Sequence, residues 1–153
     1  MLELPKIYKE TDNLREKIVE LENEIKFNDK YPKVQIETRH YYAEGLYARE
    51  IVIPKGTLLT GKIHLYEHIN IISKGDISVL TDDGPKRIKA PCTLISKPGI
   101  KRVGFAHEET VWTTIHANPK NLKDADEIEA VLVTNSFEEF EKIMEASKCP
   151  LLP

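Results

Sequence analysis

The residues best suited to chemistry lie in Gly61-Lys62-Ile63-His64-Leu65-Tyr66-Glu67-His68-Ile69-Asn70-Ile71-Ile72-Ser73-Lys74-Gly75, where polar, metal-competent side chains interrupt a strand-like apolar pattern that ends on a turn glycine. Side chains two or four residues apart on a strand share a face, so the spacing predicts that His64, Tyr66, His68 and Asn70 look into one cavity. His64, His68, His107 and His116 fall in the β-rich middle of the chain. Neutral imidazoles suit Fe, Mn, Ni, Cu or Zn, and such a site is predicted on His64 and His68. Trp112, Thr114 and His116 share a face of a later strand, which makes His116 the third candidate ligand, with Glu67 and His107 as competitors for that place. The competing reading is a set of hydrogen-bonded pocket imidazoles without metal.

A second constellation is cationic. Arg102 together with Arg49, Lys62, Lys97 and Lys101 can form a pocket for phosphate or carboxylate, because guanidinium groups bind such anions bidentately. Alternation puts Tyr47, Arg49 and Ile51 on one strand face, whereas Lys97, Lys101 and Arg102 flank a turn, where a solvated role competes. A buried Arg49 needs a carboxylate or a ligand beside it, for which Glu67 or Glu44 would serve. The predicted ligand-binding set is therefore Arg49, Tyr66, Asn70, Arg102 and Trp112. Dinucleotide, P-loop and Gly-x-Ser-x-Gly patterns are absent, Ser73, Ser78 and Ser96 read as strand residues, and Cys92 reads as an inert buried thiol.

These residues need a scaffold of strands. From about residue 34 to 118 the chain consists of short β-branched segments punctuated by Gly, Pro and Asp, which predicts a sandwich or barrel. Strands are expected near 34–42, 46–53, 62–66, 68–74, 76–81, 86–90, 92–97, 101–106 and 110–116, with Asp83-Gly84 as the best hairpin signal. Before the barrel, Leu14, Ile18, Leu21 and Ile25 recur at helical spacing over about 11–27, capped by Thr11 or Asp12. That apolar stripe would either pack on the barrel or pair with a second copy. Residues 1–33 thus form a helix and connector, 34–118 the barrel, and 119–153 an extension. The extension is read as a short helix over 121–127, a strand over 128–133 and a helix over 136–146. A capping box, Ser136-Phe-Glu-Glu139, opens that last helix, and Phe137, Phe140, Ile143 and Met144 dock it on the barrel.

At 153 residues, 41% hydrophobic and 31% charged, the chain suits one domain with its own core, and a formal charge of -3 argues against general nucleic-acid or membrane-surface binding. Cys92 and Cys149 have no metal-finger spacing, no run reaches a membrane span, and the start Met-Leu-Glu-Leu-Pro lacks signal-peptide character. The expected location is cytoplasmic.

The stretch from Gly61 to Gly75 resembles the first motif of the cupin superfamily of jelly-roll (double-stranded β-helix) barrels, and Ala90-Pro91 to Pro98-Gly99 is similar to the second. His64 keeps one of the two early histidines of that pattern; His68 stands at the usual acidic position, with Glu67 just before it. In the second motif Arg102 stands where a metal-binding histidine is expected. The run from Tyr41 to His116 further resembles the single-domain cupins of tailed bacteriophages, in Tyr47-Ala-Arg-Glu50, Gly56-Thr-x-x-Thr-Gly-Lys-x-His64 and Trp112-Thr-Thr-Ile-His116. The resemblance implies a mainly β single barrel with helical ends, located in the host cytoplasm or the virion, forming homo-oligomers and contacting other virion proteins if it is structural. It implies a small ligand bound in the interior, directly or through one divalent metal. The alternatives are a non-catalytic assembly protein, a metal-dependent isomerase or dioxygenase, and a sink for a host signalling nucleotide.

Overall fold

The computed structural model describes residues 13–148. Helix α1 (Leu14–Phe27) leads into ten strands: β1 (Glu37–Ala43), β2 (Leu46–Ile53), β3 (Leu58–Thr60), β4 (Ile63–His64), β5 (His68–Lys74), β6 (Asp76–Thr81), β7 (Gly84–Lys89), β8 (Cys92–Ser96), β9 (Val103–Ala106) and β10 (Thr110–Ala117). Helix α2 (Ala125–Leu132), strand β11 (Val133–Thr134) and helix α3 (Phe137–Lys148) complete the chain. Two antiparallel sheets, ordered β1-β2-β10-β5-β8 and β3-β9-β6-β7, face each other as a jelly roll, and β4 pairs with β11.

Alternation decides what lies between the sheets. Ile53, Ile72 and Trp112 from the larger sheet meet Ile77, Val79, Ile88 and Ala106 from the smaller, and all are buried. Tight turns hold the register. Glu44-Gly45 joins Ala43 to its partner Leu46, and Asp82-Asp83 joins Thr81 to Gly84. Gly75, at φ +105°, is needed between β5 and β6: a Cβ there would lie 2.5 Å from the Glu109 carbonyl oxygen.

The α1 stripe packs on the chain's own barrel. Ile18 is buried against Leu80 and Val103, flanked by Leu14, Leu21 and Leu58. The expected caps Thr11 and Asp12 lie outside the described residues, and Asn13 occupies the N-cap position without a side-chain capping bond. Lys101 further ties this helix down. Its ammonium is 3% exposed, donates to the Gly61 carbonyl at 2.8 Å and pairs with Glu22, so it is buried and not solvated as its place near a turn suggested.

The extension corrects the expectation. The strand expected over 128–133 is helix through Leu132 and extended only at Val133, because Asp124 caps a helix by accepting from Asp126 N and Glu127 N at 3.0 Å each, and Ile128 and Leu132, four residues apart, bury together against Tyr47. The capping box at Ser136 is half formed: Glu139 N donates to Ser136 Oγ at 3.1 Å, while the Glu139 carboxylate turns to the Thr134 hydroxyl. Phe140 docks α3 over Gly99, but Ile143 is exposed. Strand β3 went unpredicted because Leu58-Leu59-Thr60 does not alternate, and the region predicted as one strand over 62–66 is extended only at Ile63 and His64.

Candidate metal and ligand site

The larger sheet presents its inward side chains in three rows. The first carries Tyr42, Tyr47 and His116 across β1, β2 and β10, with His68 opposite Ser96 on β5 and β8. The second carries His40, Arg49, Thr114, Asn70 and Leu94, and the third Thr38, Ile51, Trp112, Ile72 and Cys92. From the first row to the third, the side chains change from imidazoles and phenols, through a cation, a hydroxyl and one amide, to mostly hydrocarbon.

His64 comes to the first row from β4. That two-residue strand is held by β11, where Val133 pairs with His64, and by the bonds Leu65 N to Leu132 O at 2.8 Å and Gly99 N to His64 O at 2.9 Å. The bend over residues 65–67 then lets β5 start afresh at His68. His64, His68 and His116 converge, with ring centroids 4.2 to 5.0 Å apart and their ligand nitrogens all within 4.8 Å of one another. His68 Nδ1 lies 3.0 Å from the Tyr66 carbonyl, whereas His68 Nε2 and His64 Nδ1 are buried without a partner.

Burial, reinforced by His68, His116 and the two arginines, pushes His64 down to about 2. Burial likewise, with His68 and Arg49, pushes His116 down to about 4, and His68 is lowered chiefly by burial and by Arg102. All three imidazoles are therefore neutral at pH 7, the form that ligates metal. Two unpartnered buried nitrogens in a group of neutral donors fit a divalent transition metal on the observed geometry.

Arg102 reaches in from the start of β9. It donates to Ser96 Oγ and lies over the Trp112 ring, its carbon 5.7 Å from the centroid. Ser96 also accepts from Asn70 Nδ2 at 2.7 Å, and Asn70 Oδ1 accepts from Trp112 Nε1 at 2.9 Å. Burial lowers the Arg102 guanidinium. Neither Arg102 nor Arg49 has an ion-pair partner among the described residues, whereas Lys62 pairs with Glu129 of α2. A cavity of about 500 Å³ opens here, walled by Arg49, Arg102, His64, His116, Asn70 and Trp112, with Ile53, Leu59, Ile77 and Val79 beyond.

Of the sequence-predicted residues, the structure brings together His64, His68, His116, Asn70, Arg49, Arg102 and Trp112. Tyr66 is left out: the bend turns its ring outward, 54% exposed. Glu67 is exposed on the same bend, and Glu44 sits in the first hairpin, so neither meets Arg49. His107 lies elsewhere, with Nε2 2.7 Å from Ser78 Oγ. Lys97 is exposed. Sequence reasoning missed His40 and Ser96. His40 Nδ1 shares a 2.7 Å hydrogen bond with the Tyr47 hydroxyl at the cavity wall, and alternation from Tyr42 would have pointed to it.

No protein-family model and no curated protein matches the chain. Solved structures do. Ectoine synthase from P. lautus superposes with a TM-score of 0.52 at 10% identity, over 69% of this chain and 81% of that one. An RmlC-like cupin with a double-stranded β-helix fold from Methanocaldococcus jannaschii gives 0.47 at 17% identity, over 56% and 84%. A cupin superfamily protein from Desulfitobacterium hafniense gives 0.48 at 9% identity, over 56% and 80%. At such identities the likeness is one of fold. The chain is a single cupin-type jelly-roll barrel, mainly β, with an N-terminal helix and C-terminal helices. It carries three clustered imidazoles, and Arg102 lines the cavity beside them. No helix among the described residues is long and apolar enough to cross a membrane.

Proposed function

We propose that this chain is a small-ligand-binding cupin that holds one divalent transition metal on His64, His68 and His116 and receives its ligand in the adjoining cavity. The observation that carries the reading is the pair of buried, unpartnered nitrogens, His64 Nδ1 and His68 Nε2, within a cluster of three neutral imidazoles. A bound metal would supply Lewis acidity toward a ligand oxygen. Around it, Arg49 and Arg102 orient the ligand's charge, Asn70 and Trp112 shape the wall, and α2 covers the mouth. The test is metal content by elemental mass spectrometry on protein purified without chelators, beside a folded His64→Ala, His68→Ala variant. Near-stoichiometric metal lost in the variant is expected; no metal in either, even after reconstitution with Fe, Mn, Ni, Cu and Zn, overturns the metal reading.

A source in a tailed bacteriophage, and residence in the host cytoplasm or virion, belong to the same proposal and rest on the resemblance over residues 41–116. Self-association is the second part. Tyr41, Ala48, Ile115, Ile69 and Ile95 make one apolar row across the outer face of all five strands of the larger sheet, with Tyr41, Ile69 and Ile95 exposed. A second copy of the chain would cover it face to face, as a two-fold contact brings the same patch onto itself.

A further inference from the structure

The rows inside the barrel say more about the ligand than that it is small. Resting on the reading of the cavity as a binding site, we infer that its ligand is a carboxylate with a compact apolar body: the carboxylate faces Arg49 and Arg102 at the histidine end, and the body lies over Trp112, Ile53, Leu59, Ile77 and Val79.

The charged end follows from what the arginines lack. Arg102 is half-buried against Ser96 and the Trp112 ring, where burial lowers its pKa, and its guanidinium has no carboxylate partner among the described residues. A desolvated guanidinium without a counter-ion is costly, and an anion brought by a ligand removes that cost. Arg49 lines the same wall, in the row between the imidazoles and the hydrocarbon; it is exposed and also without a counter-ion, so it adds charge to the site with no burial cost of its own. Lys62, by contrast, is already neutralised by Glu129. The acidic residues of the cavity lining, Asp126 and Glu129, are exposed on α2, and Glu129 is held by Lys62, so the two guanidinium forks and the neutral imidazoles select a planar anion.

The apolar end follows from the third row and the opposite sheet. Beyond Asn70 and Thr114 the wall turns to Ile51, Ile53 and Trp112, faced by Leu59, Ile77 and Val79. A free inorganic anion would leave that half of the roughly 500 Å³ cavity wet against hydrocarbon. A branched or cyclic carboxylate fills it.

Trp112 is the only tryptophan in the chain, so its emission reports on the cavity directly. The full-length protein is titrated, metal-loaded and metal-free, with cyclohexanecarboxylate, its neutral isostere cyclohexanecarboxamide, acetate and inorganic phosphate. Saturable change with cyclohexanecarboxylate is expected, with the carboxamide, acetate and phosphate each at least tenfold weaker. Arg49→Gln, on an exposed strand position that leaves the core intact, is expected to weaken cyclohexanecarboxylate at least tenfold without changing the thermal midpoint. Equal binding of the carboxamide, equal or tighter binding of phosphate, no response to any probe, or an Arg49→Gln affinity equal to wild type would each overturn the proposal. Metal uptake with no carboxylate response would sink this inference and leave the metal reading standing; carboxylate binding that depends on Arg49 in protein that never takes up metal would do the reverse.

Discussion

Arg102 and Ser96 are joined across the barrel, the guanidinium donating to the hydroxyl oxygen that also accepts from Asn70. This contact extends a chain of donors that begins at the Trp112 indole and passes through Asn70, so the cation is aimed by three side chains from three strands of the larger sheet. A cation tethered to the larger sheet thus stands on the wall of the same cavity as His64 and His116.

That chain predicts the effect of Asn70→Ala. The Trp112 N–H would lose its buried partner, at a cost of about 1–3 kcal/mol for the group left unsatisfied, while Ser96 would keep Arg102 as its donor. Urea unfolding followed at Trp112 should show a lower midpoint with an unchanged slope, and native emission should shift. An unchanged midpoint would mean that water replaces the amide and that the chain does not position Arg102.

Much of this was legible because β5 follows strict alternation, burying His68, Asn70 and Ile72 while exposing Ile69. The same rule failed at Tyr66, since alternation holds only within one strand and the bend at 65–67 separates His64 from His68. His64 still joins the cluster because β11, distant in sequence, fixes β4, and no local pattern carries that information. Lys101 and Arg102 show a similar limit. Both flank a turn, yet one is claimed by Glu22 of α1 and the other by Ser96 of β8, partners that only the folded topology brings near. At Ile128 the β-branched composition suggested a strand, but the cap at Asp124 and the i, i+4 burial of Ile128 and Leu132 prevailed.

The Glu22–Lys101 pair predicts a pH dependence. Burial alone raises the Glu22 carboxyl, but the ammonium groups of Lys101 and Lys26 outweigh it and hold the carboxyl below its ordinary 4.5. Near pH 4 the folded state therefore binds fewer protons than the unfolded state at this site. Its contribution is complete above about pH 4.5 and is lost as pH falls through the lowered value. Glu22→Gln should cost about 3 kcal/mol at pH 7, as removal of one partner strands a buried Lys101. Its thermal midpoint should also decline less steeply than wild type between pH 6 and 3. Parallel declines would remove the pair as an acid-sensitive tie between α1 and the barrel.

The outer apolar row predicts the behaviour of Ile95→Lys. Ile95 is 67% exposed and directly opposite Ile69, so the substitution adds no strain to the folded protomer but sets a charge at the edge-strand end of the proposed contact between copies. Light scattering on wild type should give a mass above 17.5 kDa, and the variant should fall to the monomer with its circular dichroism unchanged. A monomeric wild type at tens of micromolar would dispose of this surface as a self-association site.

Leu132→Ala separates the placing of His64 from the stability of the barrel. Leu132 is 7% exposed between Ile128 and Tyr47, and its carbonyl accepts from Leu65 N, the residue after His64. Truncating it should cost about 2–5 kcal/mol of local packing, the range for buried leucines. Because β4 is bonded to β11 and to neither large sheet, that loss should appear first as local opening rather than as global unfolding. Hydrogen exchange is expected to accelerate at the amides of Leu65 and Gly99, both bonded to this corner, while the amide of Ile72 in the sheet core keeps its protection. Metal retention should fall in the same variant, since His64 would spend more time away from His68 and His116. If Leu65 and Ile72 accelerate together, the C-terminal segment is part of one cooperative core. If neither changes, α2 and β11 do not hold His64 in place, and the cluster is an intrinsic property of the barrel.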